Sequence, residues 1–163
     1  MIIRDLKLKD AKYMYEWMQD PEITKHFRTD FSNMNIDKIN KFIINSNNDQ
    51  INKHFAIVDE NDEYLGTISL KDIDYQNKCG EYAICLRKKA MGKCIATKAT
   101  LALFDFAFNK LDLHRVFLNV YSENVRANKF YLKVGFEYEG CTKDCLYINN
   151  QFKSLNWYAK IKD

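Results

Sequence analysis

Leu113-His-Arg-Val-Phe-Leu-Asn-Val-Tyr-Ser-Glu-Asn-Val-Arg-Ala-Asn-Lys-Phe-Tyr-Leu-Lys-Val-Gly-Phe136 contains a strand, a turn and a helix in one short run. Val116, Leu118 and Val120 alternate, the pattern of a strand with one buried face. Ala127, Phe130, Tyr131 and Val134 then recur at helical spacing. Gly135 supplies the residue at which such a helix can stop.

Upstream stands Glu81-Tyr-Ala-Ile-Cys-Leu-Arg-Lys-Lys-Ala-Met-Gly-Lys-Cys-Ile-Ala-Thr-Lys-Ala99. It predicts a strand over Glu81–Leu86, a basic loop with Gly92, and a long helix carrying Ile95, Ala99, Ala102, Leu103 and Phe106 on one face. A strand running through such a loop into a helix aims backbone N–H groups and the helix's positive end at one point, as a pyrophosphate requires. Ordinary turn chemistry accounts equally well for the spacing alone.

Towards the N-terminus, Ile2–Leu8 predicts a first strand. Asp10 then caps a helix with Ala11, Met14, Tyr15 and Met18 on its apolar face, and Pro21 lies past its end. Glu22–Asn35 has no period and predicts a loop. Ile36, Ile39, Phe42 and Ile43 mark a second helix. Phe55–Val58, Tyr64–Leu70 and Glu81–Leu86 predict an antiparallel meander, with turn chemistry at Glu60-Asn61-Asp62. Phe136–Tyr138, Leu146–Ile148 and Phe152–Ile161 predict late strands, the last two joined at Asn149-Asn150. The expected architecture is an α/β (or α+β) sandwich around a mixed sheet, formed by residues 1–163 as one domain.

Bulk composition excludes several classes. The chain has 163 residues, is 47% hydrophobic, and carries a formal charge of +3 with its basic residues dispersed, so no nucleic-acid stripe is present. Its five cysteines (Cys79, Cys85, Cys94, Cys141, Cys145) form no C-x-x-C pair, and His26, His54 and His114 lie at no ligand spacing. Reduced thiols, no metal and no disulfide scaffold are expected. The N-terminus has no apolar signal region, and Ala99–Phe108 is too short to span a bilayer. A cytoplasmic protein is expected.

The core Asn124-x-Arg126-Ala127-x-x-x-Tyr131-x-Lys133-x-Gly135-Phe136 resembles the GNAT acetyltransferase superfamily, particularly its RimJ/RimL-like branch. Asp20-Pro-Glu, Gly66-Thr-Ile-Ser-Leu and Glu81-Tyr-Ala-Ile resemble the same branch in the same order, so the likeness covers nearly the whole chain. It implies a mostly antiparallel central sheet flanked by helices and splayed at an acetyl-coenzyme A site. It also implies direct transfer of acetyl to a primary amine.

Position by position, the family's phosphate loop falls on Met91-Gly92-Lys93-Cys94-Ile95-Ala96. Met91 stands where the family has Arg or Gln, and Cys94 where it has its first Gly. Lys88, Lys89 and Lys93 are available to supply positive potential. The resemblance assigns further cofactor contacts to Ile84, Leu86, Thr97, Asn119, Ala127 and Asn128, and a pantetheine contact to Asn124. Tyr131 would be the acid for the departing thiolate, unless it is only a core aromatic. Glu81 would be the base or lead to one, unless it is only a strand-end carboxylate, and Glu123 is a weaker candidate. No Cys–His pairing is readable, so Cys85 and Cys94 are not read as nucleophiles.

Acceptor recognition is expected from the first helices and their loop (Trp17, Asp20, Glu22, His26, Phe27, Asp30, Phe31) and from the last hairpin (Tyr147, Phe152). The acceptor is read as a small amine, an amino-sugar nucleotide or a polyamine. The alternatives are a protein N-terminus, or a degenerate acyl-coenzyme A-binding module without catalysis. An exposed C-terminal edge strand would permit a homodimer.

Overall fold

The computed structural model describes residues 2–163. Seven strands form one sheet in the order β1-β2-β3-β4-β5-β7-β6, all pairs antiparallel except β4–β5. They are β1 Ile3–Asp5, β2 Lys53–Val58, β3 Tyr64–Asp74, β4 Cys79–Leu86, β5 Arg115–Tyr121, β6 Glu137–Ile148 and β7 Gln151–Ile161. The helices are α1 Ala11–Met18, α2 Pro21–Thr24, α3 Ile36–Ser46, α4 Ile95–Asp105 and α5 Val125–Lys133; α4 runs on into a π-turn, Phe106–Lys110. Among the described residues no helix is long and apolar enough to cross a membrane.

Two apolar clusters sandwich the sheet. Leu103, Phe104 and Ala107 of α4 and its π-turn pack with Ile68, Tyr82, Val116, Leu118 and Phe136 on one face. Met14 and Trp17 of α1 and Ile39 and Ile43 of α3 pack with Ala56, Val58, Tyr64 and Cys85 on the other. Strand alternation explains the division: Ile57 belongs to the first cluster, and its neighbours Ala56 and Val58 to the second.

Three local expectations are corrected. Glu22–Asn35 is not loop throughout: Pro21, past the end of α1, opens α2, which runs to Thr24, with the Asp20 carboxylate accepting the Glu22 amide 3.0 Å away, because a fixed φ and a missing N–H suit a first helical turn. Asp10 gives α1 no side-chain cap. It is buried and receives a two-pronged Arg4 guanidinium at 2.8 and 3.0 Å. Phe136–Tyr138 and Leu146–Ile148 are not separate strands but lie at the start and end of β6, whose polar middle sits on the open sheet edge and is interrupted by two register shifts.

The buried phenols and thiol make the fold alkali-sensitive. Burial raises Tyr64 and Tyr82 well above the ordinary phenol value and pushes the Cys85 thiol up to about 12. Each folded-state value is raised, so this stabilisation is complete below the unfolded-state values of 9.0 for Cys and 10.0 for Tyr. It is lost as pH rises through the folded values. Urea unfolding is expected to give a stability that falls steadily above about pH 9; an unchanged midpoint at pH 11 would contradict this.

Candidate active site

The parallel ladder between β4 and β5 has three pairs, Cys79–Arg115, Gly80–Val116 and Glu81–Phe117, and then ends. β4 continues to Leu86 and β5 to Tyr121 without pairing each other. The backbone groups facing the gap therefore lack a sheet partner. A cleft of about 870 Å³ occupies the gap.

The resemblance assigns thirteen residues in the sheet, loop and helices to cofactor binding, Tyr131 to both cofactor contact and proton transfer, and Glu81 to proton transfer. The structure brings Glu81, Ile84, Leu86, Met91, Gly92, Cys94, Ile95, Ala96, Thr97, Asn119, Asn124, Ala127 and Tyr131 together on this cleft. Lys93 and Asn128 do not line it. Asn128 is fully committed elsewhere. Its amide donates to the carbonyls of Tyr121 and Asn124, at 3.1 and 2.8 Å, and its oxygen accepts from Asn156 and Tyr158, at 2.8 and 2.6 Å. It ties α5 to β5 and β7 and has no group left for a cofactor.

Tyr131 is positioned by the end of α5. The Phe136 amide donates to the Tyr131 carbonyl at 3.0 Å and the Gly135 amide to the Leu132 carbonyl at 3.2 Å, with Gly135 at φ 100°. This is a Schellman closure, and it explains the Tyr-x-x-x-Gly-Phe spacing. Phe136 and Tyr82 then grip the Tyr131 ring edge-on at 5.8 and 5.9 Å. The Tyr131 hydroxyl makes no protein hydrogen bond, yet no buried side-chain polar atom is orphaned among the described residues, so the hydroxyl opens onto the cleft. Burial pushes its pKa up to about 12. At the other end of α5, Asn124 caps the helix by accepting the Ala127 amide at 3.2 Å.

The phosphate loop enters α4 through two left-handed residues, Gly92 at φ 78° and Cys94 at φ 58°. The family's glycine is thereby explained, since an L-residue in this region costs about 1–2 kcal/mol. Part of that gain returns as unfolded-chain entropy on substitution by Gly. Cys94→Gly is expected to raise stability by about 0.5–1 kcal/mol in urea titration; a loss of stability would contradict the strain assignment.

Two of the loop's lysines are already paired, and the third, Lys93, does not line the cleft. Lys88 pairs with Asp20 at 2.7 Å and Lys89 with Glu63. Arg87 is buried, holds Glu16 and Glu63, and lies over the Tyr13 ring. These pairs tie the loop to α1 and to the β2–β3 turn. Instead, Arg126 from the first turn of α5 reaches over the loop, its Nη1 3.6 Å from the Met91 sulfur. Arg126 belongs to the Asn124–Phe136 motif, but nothing in that pattern by itself gives it a task.

On the other face of the sheet, Glu81 and Lys71 lie opposite each other on β4 and β3 and pair at 3.3 Å. The α2–α3 loop covers this side: Arg28 donates to the Asn119 side-chain oxygen at 2.9 Å, across 91 positions of sequence. A second cleft of about 850 Å³ adjoins there, sharing Lys25, His26, Phe27, Thr29, Tyr121 and Asn124 as a wall. Glu123 lines this second cleft and pairs with Lys153 at 2.7 Å.

Not every expected acceptor residue lies here. Glu22, His26, Phe27, Asp30 and Phe31 line one cleft or both. Trp17 is buried and donates to the Tyr64 hydroxyl at 3.1 Å, Asp20 serves α2 and Lys88, and Tyr147 and Phe152 stack on each other at an exposed hairpin.

Comparison with known proteins agrees with this geometry. Residues 1–137 match the family described as Acetyltransferase (GNAT) domain. The chain is 31% identical to the N-acetyltransferase p20 of Bacillus licheniformis over 150 residues, covering 88% of this chain and 83% of that one. It is 26% identical to the spermidine N(1)-acetyltransferase of Escherichia coli K12, covering 93% of this chain and 81% of that one. The crystal structure of Vibrio cholerae spermidine N-acetyltransferase in complex with CoA and spermine superposes with a TM-score of 0.88 at 22% identity, covering 98% and 94% of the two chains. The sheet split at Glu81, the loop into α4 and the match over residues 1–137 place this chain in the GNAT family, as an acetyl-coenzyme A-dependent N-acetyltransferase.

Proposed function

We propose that the enzyme acetylates the primary amine of a small molecule that reaches the Glu81 side of the gap between β4 and β5 through the adjoining second cleft, with acetyl-coenzyme A lying in that gap. The carrying observation is the Arg28–Asn119 bridge, which straps the α2–α3 loop over β5 where a peptide acceptor would need an open groove. Amino-sugar nucleotides and polyamines are both of the size this enclosure admits.

The residues fit the cofactor. The unpaired edges of β4 and β5 suit the amides of an extended pantetheine arm. The amides around Gly92–Ala96 and the N-terminus of α4 suit a pyrophosphate, with Arg126 supplying the cation that Met91 lacks. Acetyl-coenzyme A supplies an activated acetyl thioester. Tyr131 Oη, protonated at any working pH, holds the proton a departing thiolate needs. Glu81, paired with Lys71 at 3.3 Å, accepts the proton released by the amine, directly or through water.

The test is thiol release from acetyl-coenzyme A with a panel of small amines and N-terminal peptides, using the wild type and Glu81→Gln. Turnover of small amines and not peptides, reduced about 10²-fold in Glu81→Gln, supports the reading. Preference for peptides contradicts it.

A further inference from the structure

The chain has five arginines. Three are occupied by carboxylates: Arg4 by Asp10 and Asp62, Arg87 by Glu16 and Glu63, and Arg115 by Glu139. Arg28 and Arg126 have no carboxylate partner among the described residues, and both line the cleft. Arg126 lies at the phosphate-loop end, beside Met91. Arg28 is carried by the α2–α3 loop and held on the Asn119 side chain of β5.

Of the four carboxylates that line the two clefts among the described residues, three pair with a lysine and Asp30 does not. Glu81 pairs with Lys71 at 3.3 Å, Glu22 with Lys25 at 2.7 Å and Glu123 with Lys153 at 2.7 Å. Asp30, further along the loop, accepts the Ser32 amide at 2.9 Å. A polyamine would require unspent carboxylates to replace the hydration of its several ammonium groups. What this end offers instead is one unspent guanidinium, with one of its five N–H donors given to Asn119. The Asn119 bond fixes the fork, which lowers the cost of engaging a planar or tetrahedral anion.

We infer that Arg28 is a specificity residue, and that the amine acceptor carries its own anionic group, a carboxylate or a phosphate. This rests on the small-molecule reading above and narrows it: among the acceptors of suitable size, the charged-phosphate class is favoured over the polyamine class. Glu81 meets the amine end of such a molecule while Arg28 holds its anion. The acceptor is thus oriented from both ends across the mouth of the gap.

The experiment compares kcat/KM for matched pairs of acceptors with the full chain: glucosamine 6-phosphate against glucosamine, α-amino acids against their amides, and spermidine as the polyamine. The two pairs distinguish phosphate from carboxylate. Calorimetry with acetyl-coenzyme A is run on every variant. The anionic member of at least one pair is expected to be favoured about tenfold or more, as one charge-assisted contact allows. Arg28→Gln should abolish that preference through KM, Arg28→Lys should restore part of it, and acetyl-coenzyme A binding should stay within about twofold in both. Spermidine or the neutral amines outperforming every anionic partner would overturn the inference. So would an equal loss on all acceptors in Arg28→Gln, which is what a purely structural strap predicts. Either result with acetyl-coenzyme A still bound leaves the acetyltransferase reading standing; loss of cofactor binding by the wild type would remove both.

Discussion

Tyr131→Phe is expected to lower kcat about 10²–10³-fold while the Kd for acetyl-coenzyme A stays within about twofold. The size follows from what the substitution removes. The ring is held by Tyr82, Phe136 and Tyr158, and a phenylalanine keeps those contacts. The hydroxyl makes no hydrogen bond to protein, so its removal strands no buried partner and stability should change by less than about 0.5 kcal/mol. What disappears is the proton, held at a pKa of about 12 and therefore present throughout the working range. Stopped thiol-release kinetics with parallel calorimetry separate the outcomes. Equal losses in turnover and in binding would mean that Tyr131 only shapes the cleft.

The largest effect on folding is expected at Gly66. This glycine sits in β3 opposite Ile57 on one side and Leu86 on the other. A Cβ built there would lie 2.3 Å from the Cys85 carbonyl oxygen and 3.0 Å from Leu86 Cα, and both are backbone atoms. No rotamer change relieves such a clash; β4 itself must shift. Gly66→Ala should cost about 3 kcal/mol, which for a chain of this length lowers Tm by roughly 6–12 °C. Because β4 leads directly into the phosphate loop, acetyl-coenzyme A binding should weaken with it. A Tm within a degree of wild type would show that the β3–β4 contact is looser than described.

Much of this molecule is written locally in its sequence. The alternation of Val116, Leu118 and Val120 and the stripe of Ala127, Phe130, Tyr131 and Val134 gave β5 and α5, because one buried face imposes one period. The positive φ values at Asn149 and Asn150 agree with the hairpin expected there. β6 was legible only at its ends, since an edge strand exposed on both faces has no apolar alternation to read. The helix at the start of Glu22–Asn35 is not legible because four residues show no period, and only Pro21 with the Asp20 cap marks it.

The site divides along the same line. Cleft residues carried by α4, α5 and the strand edges follow from a local motif and were readable. Asn128 was misassigned because the motif gives its place on α5 but not the four partners that consume its side chain. The spent charges of Lys88 and Lys89, and the reach of Arg28 to Asn119 and of Arg126 to Met91, depend on contacts between distant segments. No single-segment pattern encodes them.

The central claim is that acetyl-coenzyme A occupies the gap where β4 and β5 part, despite Met91 and Cys94 in the phosphate loop. Calorimetric titration of acetyl-coenzyme A into the full chain, with thiols kept reduced, tests it most directly. One-to-one binding with a Kd well below millimolar is the predicted result. An absence of heat at millimolar ligand would contradict it and leave a sheet and loop that keep the fold without the chemistry.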